Sequence, residues 1–431
     1  MTDCQESVAP ATWVAIDIAK DMHVVLLETA SGEHRSFRVA NQRTDFDRFV
    51  TLLHAEAQPV RVALEPTGNY HRVLAYRLVT EGFEVCLISS VASARYREAR
   101  FNSWDKNDPK DAAVLLALLK HGLTQRYVDP LIANVHELQE LSKTYFQMAL
   151  ARMRVQHSIL THYLPVYFPE IGKFWQTNRT EWFIRFLLRF PVPAAITTMG
   201  EDEFIAIASP VVGRKVHKRE LLQEMYAVAQ HSIALPIAEH SLAVHTFRVQ
   251  LQHFLQLEAQ RTALEVESET LLGDHPGYQQ LRSIPGIGPV FALTILAEAG
   301  DIRRFRHHRQ FLKYCGLDLA KTQSGTARGR ETLSKRGNAR LRSTFWFAGR
   351  VAVRMRENSF RRKYDRYLTS DPTSADRKRK ALTAVAAKMA RVVYAVVKTN
   401  QPYRCYFERE LPSGSIPFSR AVDAAPSVPT S

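Results

Sequence analysis

Trp13-Val-Ala-Ile-Asp-Ile-Ala-Lys20 is a short apolar run that carries a single acid, Asp17, in its middle. Met22-His-Val-Val-Leu-Leu-Glu28 follows almost at once and has the composition of a second strand, so the two runs predict a β-hairpin. A carboxylate inside a buried strand costs several kcal/mol unless it is paired or binds a cation. This stretch therefore predicts a sheet in which Asp17 has a functional role.

The segment after the hairpin alternates strands and helices. The predicted elements are strands over residues 36–40, 60–64 and 83–89 and helices over residues 44–55, 69–81 and 109–121. Together with the hairpin, they give the order β-β-β-α-β-α-β-α. This is the order of a ribonuclease H-like fold, so we expect an α/β domain at this end of the chain.

Three further acids accompany Asp17 at the edge where such a fold assembles its site. Glu65 directly follows the fourth strand, and it meets Asp17 at one end of the sheet if strands one and four are neighbours. Asp108 and Asp111 are three apart at a helix start and share one face of the helix. An oxygen-rich cluster of this kind suits two Mg²⁺ (or Mn²⁺) ions. Alternatively, Asp108 caps its helix, Glu65 is an ordinary surface acid, or Asp105 joins the cluster.

The positive charge of the chain is concentrated in one stretch. Residues 301–400 hold 26 Lys and Arg against 7 Asp and Glu, a net +19, whereas residues 1–300 carry a net −4. Such a block attracts polyanions, because each neutralised phosphate releases counterions. Aromatic and small residues interrupt the charges, which favours a folded nucleic-acid surface over a merely solvated basic face.

The middle of the chain predicts a helical connector. Apolar residues recur at helical spacing over residues 134–163 and 237–272, both long for globular helices. Two such helices suggest an antiparallel pair within the chain or an intermolecular coiled coil. Residues 166–236 are aromatic-rich and also read as helical.

A candidate helix-hairpin-helix lies just before the basic block. Leu281-Arg-Ser-Ile-Pro-Gly-Ile-Gly-Pro-Val290 precedes a predicted helix over residues 291–299. Gly286 and Gly288 would keep the turn bare, so that backbone N–H groups and a helix N-terminus can approach a phosphate. The alternative is a tight helix–helix turn with no ligand.

Small residues and arginines alternate in the next segment, which offers a candidate nucleophile. Ser324 precedes Gly325 and lies near cations that could stabilise an attacked phosphate, and Ser334 is its competitor. Either serine could be an ordinary turn residue. The residues expected to hold nucleic acid are Arg328, Arg330, Lys335, Arg336, Arg340 and Arg342.

These observations divide the chain into an N-terminal α/β part and a helical remainder. The predicted boundaries are 1–10 (disordered start), 11–125 (metal-nuclease domain), 126–275 (helical connector), 276–405 (mainly helical C-terminal domain) and 406–431 (disordered tail). No apolar run approaches the roughly 20 residues that a membrane span needs, and no signal peptide is evident, so we expect a cytoplasmic protein. The four cysteines are isolated and predict core filler, not a zinc or redox site.

The motifs resemble those of one family. Asp17 in Ile-Asp-Ile-Ala-Lys, Glu65 in Leu-Glu-Pro-Thr-Gly-Asn-Tyr, and the pair in Lys106-Asn-Asp-Pro-Lys-Asp-Ala112 resemble the four DEDD acids of the transposases of insertion sequence family one-ten. The run from Ile284-Pro-Gly-Ile-Gly to Leu341-Arg342 resembles the transposase domain of that family. The resemblance implies a RuvC-like N-terminal domain, a dimerising coiled coil, and a C-terminal serine, here Ser324, that becomes linked to DNA.

The resemblance also implies partners and an overall reaction. It implies an active site composed of the acids of one subunit and the serine of another, in a homo-oligomer that is a dimer or a tetramer. It further implies that a structured guide RNA (bridge RNA) selects the donor and target DNA. We therefore expect a recombinase that cuts and rejoins DNA. The alternatives are a RuvC-like junction nuclease that uses water and a non-catalytic nucleic-acid-binding scaffold.

Overall fold

The structure of the chain is a computed structural model. Between Asn134 and Val135 the chain divides into two compact units. The structure describes residues 11–101, 108–176, 180–213, 217–275, 277–320, 323–324, 327–328, 332–356 and 358–405. The predicted boundary at residue 125 lies too early, because the strand Gln125–Arg126 pairs with the N-terminal sheet. The predicted connector and C-terminal domain fall together in the second unit.

The first unit is built on one six-stranded sheet with the order β3-β2-β1-β4-β5-β6. Strand β1 is antiparallel to β2 and parallel to β4, which confirms the hairpin and the neighbouring first and fourth strands. The first five strands have the order of a ribonuclease H-like fold. The strands are β1 (Thr12–Asp17), β2 (Met22–Glu28), β3 (His34–Ala40), β4 (Val60–Leu64), β5 (Glu84–Leu87) and β6 (Gln125–Arg126).

Helices cover both faces of this sheet. The side chains of a strand alternate between the two faces, and the central strands carry buried apolar residues on both. On one face Val14 and Val62 pack in a core with helices α1 and α2, and on the other Ala15, Ala63 and Cys86 pack against α4. Ala15 and Ala63 are register partners, so two small side chains lie side by side under α4. The helices of this unit are α1 (Arg43–Ala55), α2 (His71–Thr80), α3 (Ser90–Phe101) and α4 (Asp108–Lys120).

The second unit is mostly helical. Its helices are α5 (His136–Ser158), α6 (Leu164–Tyr167), α7 (Thr180–Arg189), α8 (Ala194–Thr197), α9 (Glu201–Val212), α10 (Lys218–Gln230), α11 (Leu242–Leu272), α12 (Tyr278–Arg282), α13 (Pro289–Ala299), α14 (His308–Tyr314), α15 (Ala339–Ala352), α16 (Ser359–Leu368) and α17 (Ala375–Thr399). A π-helical turn (Ile159–Tyr163) and 3₁₀ turns (Pro169–Phe174 and Ile302–Arg304) join some of them. Two-residue strands are β7 (Leu319–Ala320), β8 (Gln323–Ser324), β9 (Ala327–Arg328) and β10 (Thr332–Leu333).

The two long helices of the connector pack against each other within the chain. The Tyr145 hydroxyl on α5 donates a hydrogen bond of 2.8 Å to Glu265 on α11. Further along α5, Arg152 forms an ion pair with Glu258, which lies earlier on α11. From Tyr145 to Arg152 the residue numbers rise along α5, whereas those of their partners on α11 fall from 265 to 258. The two helices are therefore antiparallel, which is one of the two arrangements that the sequence left open.

The helix pair spans two hydrophobic cores of the second unit. One core contains α7, α9 and α10 together with the middle of α5 and the first half of α11. The other is formed by the C-terminal helices and includes Leu138 of α5 and Leu272 of α11. Gln139 also donates to the Ala297 carbonyl of α13 at 3.1 Å. The connector is therefore part of the C-terminal fold and not a separate domain.

Two expectations from composition can be compared with the structure. Within the part of the chain that the structure describes, no helix combines the length and the hydropathy that crossing a membrane requires. Cys86 and Cys315 are buried free thiols whose pKa values burial raises, as expected of core residues. Cys405 is half-buried, and Cys4 lies outside the described residues.

Candidate active site and nucleic-acid interface

The first two candidate acids lie side by side at one end of the sheet. Ile16 and Leu64 are register partners of the parallel pair β1 and β4, and Asp17 and Glu65 are the next residues of each chain segment. Ala15 and Ala63 face α4. Because side chains alternate along a strand, Asp17 and Glu65 project toward the same side. Both are half-buried.

Helix α4 brings the other two acids toward the same end of the sheet. Lys120, its last residue, forms an ion pair of 2.7 Å with Glu28. Glu28 is the register partner of Trp13, near the start of β1, so α4 runs antiparallel to β1. Its first turn, which holds Asp108 and Asp111, therefore lies toward the end of β1, where Asp17 is found. The described backbone thus places Asp17, Glu65 and the first turn of α4 toward the same end of the sheet.

Asp111 is engaged by a cation in this structure. Its carboxylate lies 2.5 Å from a guanidinium nitrogen of Arg97 on α3, and the two side chains are 3% and 14% exposed. Burying a carboxylate this deeply costs free energy unless a counter-charge pairs with it. Arg97 supplies it. Neither α3 nor this arginine was predicted from the sequence.

The donor atoms of the site suit a hard divalent cation. Asp17, Glu65 and Asp111 offer only carboxylate oxygens, the ligands that Mg²⁺ prefers. Among the side chains that the structure describes, no three acids, histidines or cysteines are grouped closely enough to hold a metal ion. The side chain of Asp108 and all of Asp105 lie outside the described residues. The described residues fit metal binding in donor type, with Asp111 paired to Arg97 instead.

The predicted hairpin lies between α12 and α13, but one of its glycines has a packing role. Gly286 has a positive φ of 89°, and a Cβ there would lie 2.4 Å from the Ala348 carbonyl oxygen of α15. Gly286 is therefore required because another helix approaches its backbone, and the predicted contact between its N–H and a phosphate stays a prediction. Gly288 precedes α13, and a Cβ there would meet Arg282 only at 3.7 Å.

Replacing Gly286 by Ala is expected to lower the free energy of unfolding by about 3 kcal/mol, from the strained backbone and the steric overlap with α15. The matched Gly288→Ala variant is expected to change it by less than about 1 kcal/mol. Urea denaturation of both variants checks this. Weaker nucleic-acid binding by Gly286→Ala at unchanged stability would instead support the phosphate role.

The predicted basic residues divide into engaged and exposed groups. Arg340 lies 2.5 Å from Glu298 and donates to Ser142 at 2.8 Å, so it ties α15 to α13 and α5. These internal contacts engage Arg340, and its predicted contact with nucleic acid stays a prediction. Arg342 is half-buried and donates to the Lys335 carbonyl, whereas the Lys335 and Arg336 side chains are exposed. The Arg328 side chain and all of Arg330 lie outside the described residues.

The two candidate serines differ in their surroundings. Ser324 lies on β8, which pairs with β9 so that Ser324 is opposite Ala327; its side chain lies outside the described residues. The Ser334 hydroxyl donates to the Asp318 carboxylate and accepts a long hydrogen bond from the Arg336 N–H. Ser334 therefore already has a turn-stabilising role.

Comparison with known proteins places both parts of the chain. A family model described as "Transposase", of the IS110 DEDD type, matches residues 14–169, and one described as "Transposase IS116/IS110/IS902 family" matches residues 278–365. The two matches occur in this order and together span more than half of the chain. The first match covers the sheet with its acids, and the second covers the hairpin and the two serines.

Curated relatives agree with these matches. The "Insertion element IS110 uncharacterized 43.6 kDa protein" of Streptomyces coelicolor is 24% identical over 72% of this chain and 74% of its own length. The "Insertion element IS116 uncharacterized 44.8 kDa protein" of Streptomyces clavuligerus is 22% identical over 79% and 84%. The "Transposase for insertion sequence element IS1111A" of Coxiella burnetii is 32% identical over 30% and 34%.

The fold, the acids and these matches define the class of protein first: the chain is a DNA transposase with an N-terminal DEDD domain. It belongs to the IS110 family of transposases, as its motifs predict. Membership of this family implies DNA recombination in transposition and indicates dependence on a divalent metal ion.

Proposed function

We propose that this transposase cuts and rejoins DNA with Ser324 as the nucleophile and with Asp17, Glu65, Asp108 and Asp111 as ligands of Mg²⁺ or Mn²⁺. The observation that carries the proposal is the gathering of acids from β1, β4 and α4 at one edge of the sheet. A single buried acid has simpler explanations. Acids from three separate elements at one edge favour phosphodiester chemistry.

The covalent step follows from the chemistry of a serine hydroxyl. The Ser324 oxygen attacks a backbone phosphorus and forms a phosphoserine ester, while one P–O bond to deoxyribose breaks. The serine proton passes to a base or to water, and the leaving oxygen takes up a proton. Attack by a hydroxyl of another DNA end reverses the step and releases the serine. No high-energy cofactor is needed, because the ester conserves the energy of the broken bond.

The remaining residues of the site position and balance charge. A bound Mg²⁺ supplies Lewis-acid stabilisation of the phosphate oxygens. Asp17 and Glu65 lie at the neighbouring ends of β1 and β4, where both would hold a metal ion, and Arg97 balances the charge of Asp111. The exposed side chains of Lys335 and Arg336 are available to nucleic-acid phosphates.

The helical parts of the second unit complete the proposal. The hairpin between α12 and α13 acts as a helix-hairpin-helix in which the N-terminus of α13, preceded by Gly288, approaches a phosphate. The α5 and α11 pair provides a surface for a coiled coil in a dimer or tetramer. A structured guide RNA is the second nucleic-acid partner, and the net charge of +19 over residues 301–400 suits it.

Trapping tests the reaction class. The wild-type protein is incubated with DNA carrying the ends of its element and Mg²⁺, and the mixture is then denatured. We expect a DNA strand that stays covalently attached to protein. Cutting without any attached strand would favour the water-using junction nuclease, and no processing at all would favour the scaffold. Sequencing of RNA that co-purifies with the protein tests guidance: a discrete structured species supports it, and none contradicts it.

A stability measurement tests Asp111 as a metal ligand without relying on activity. Replacing Arg97 by Met is expected to lower the free energy of unfolding by about 3 kcal/mol, because it leaves a buried carboxylate without its counter-charge. The matched Arg95→Met variant, at an exposed position of α3, should cost less than about 0.5 kcal/mol.

Mg²⁺ should restore more stability to Arg97→Met than it adds to wild type, because the ion no longer competes with a guanidinium for Asp111. Urea denaturation with and without Mg²⁺ gives both quantities. An equal effect of Mg²⁺ on the two proteins would remove Asp111 from the ligand set.

A further inference from the structure

A cationic pocket lies between the last two helices of the second unit. It has a volume of about 310 Å³ and opens to solvent. Lys363, Arg366 and Tyr367 line it from one face of α16, at helical spacing, and Lys388 and Arg391 line it from α17. The four acids of the proposed active site belong to the other unit, and four of the six lining residues lie beyond residue 365, where the family match to the C-terminal part ends. The pocket is thus a separate feature.

The fold holds the positive charges of the pocket close together. The Lys388 ammonium donates to the backbone carbonyl of Ser359 at 2.7 Å, which fixes it at the base of α16. Ser359 is itself buried, and its hydroxyl pairs with Tyr403 at 2.8 Å. Of the described residues that line the pocket, four are cationic and the other two bear hydroxyl groups. Neighbouring like charges at fixed positions are unfavourable without an anion.

Burial and neighbouring positive charges lower the pKa values of both lysines of the pocket. Burial, together with the charge of Lys363, lowers the pKa of Lys388 to about 8. Burial and the charges of Arg391 and Arg366 lower the pKa of Lys363. An anion seated between the ammonium groups would relieve both effects, because an opposite charge favours the protonated form.

The exposed aromatic ring at the rim narrows the choice of anion. Tyr367 lines the pocket and is 44% exposed. Proteins that hold single-stranded nucleic acid combine a basic groove for the backbone with aromatic rings on which unpaired bases stack. A duplex keeps its bases paired and stacked, so its phosphates could contact the cations but none of its bases would stack on the Tyr367 ring.

We propose that this pocket binds a single-stranded segment of nucleic acid, with a backbone phosphate between Lys363 and Lys388 and an unpaired base on Tyr367. Arg366 and Arg391, both exposed, then reach the adjacent phosphates. The proposal rests on the proposed function only in that the chain works on nucleic acid. The strand can be DNA or RNA, since both present the same phosphodiester.

Fluorescence anisotropy with the full-length protein tests the site in metal-free buffer, where no strand is cut. The probes are a labelled single-stranded DNA, an RNA of the same sequence and the corresponding DNA duplex, each titrated at several salt concentrations. Lys363→Gln and Arg391→Gln are each expected to raise the Kd for single strands several-fold and to reduce the salt slope by about 0.7. Tyr367→Ala should weaken single-strand binding about fivefold or more and leave duplex binding unchanged.

Lys378→Gln is the matched control, because it removes one positive charge from an exposed position of α17, the helix that carries Lys388 and Arg391. It lies about 15 Å along α17 from Lys388, beyond the screening length at 0.1 M salt of about 10 Å. Arg391 is exposed, so its variant tests the site even if Lys363→Gln folds poorly.

A response to single-stranded DNA, to RNA or to both supports the pocket and identifies the strand it takes. Pocket variants that bind every probe as Lys378→Gln does would overturn it, as would a Tyr367→Ala effect that is equal on the duplex. Wild-type protein that binds the strands in metal-free buffer but does not cut them with Mg²⁺ would contradict only the catalytic proposal.

Discussion

Replacing Asp17 by Asn is expected to slow strand cleavage by about a thousandfold or more, because it removes one negative ligand from the metal site while keeping the shape of the side chain. The fold should survive, since Asp17 ends β1 and its backbone pairing with Val24 does not depend on the carboxylate. Cleavage rates with Mg²⁺, together with calorimetric Mg²⁺ binding, measure the effect.

Asp21→Asn is the matched control. Asp21 is exposed just beyond the same strand, so its loss changes the charge by the same amount without touching the site. It should cleave at nearly the wild-type rate. If Asp17→Asn binds Mg²⁺ and processes DNA as wild type does, the four-acid site is wrong and the scaffold alternative stands.

Replacing Ser324 by Ala is expected to abolish the covalent protein–DNA product. The change removes the hydroxyl oxygen that forms the proposed phosphoserine ester, so no protein–DNA strand should remain after denaturation. Gel analysis of denatured reactions measures it. Metal-dependent cutting that survives in Ser324→Ala would instead assign the reaction to water and leave the serine without a role.

Ser334→Ala is the control for this variant, because the two serines lie in the same basic segment. Loss of the hydrogen bond to Asp318 should cost about 1 kcal/mol of stability and leave the covalent product in place. The reverse result, with the product lost in Ser334→Ala and kept in Ser324→Ala, would make Ser334 the nucleophile and Asp318 its base.

The N-terminal sheet could be predicted because its signals are local. The runs around Asp17 and before Glu65 are largely apolar; β1 ends at Asp17, and Glu65 directly follows β4. The apolar composition of these strands follows from the burial of both faces of the sheet. Asp17 and Glu65 come together because β1 and β4 are parallel neighbours. Asp108 and Asp111 were predicted from helical spacing alone, and α4 begins at Asp108.

Helix α3 was missed because it lacks the apolar stripe on which periodicity depends. Only Ser93 is fully buried in Ser90–Phe101, and arginines recur along the helix. Arg97 consequently looked like a surface charge. Its role follows from contact with Asp111 on the next helix, and a sequence pattern carries no sign of that contact.

Contacts with distant partners could not be predicted either. Gly286 is constrained by Ala348, 62 residues later, and Arg340 by Glu298 and Ser142 on other helices. Each looked like a nucleic-acid contact because it lies in a glycine- or arginine-rich stretch. Composition predicts a basic stretch that could meet nucleic acid, but the tertiary contacts decide which of its side chains remain available.

The antiparallel pair of α5 and α11 determines where this transposase can be divided. Because Leu138 and Leu272 complete the core of the C-terminal helices, a fragment that begins at residue 276 would leave two holes in that core. It would also lose the Gln139 contact to Ala297. An autonomous C-terminal fragment must therefore start near Val135, and we expect residues 135–405 to unfold as one cooperative unit.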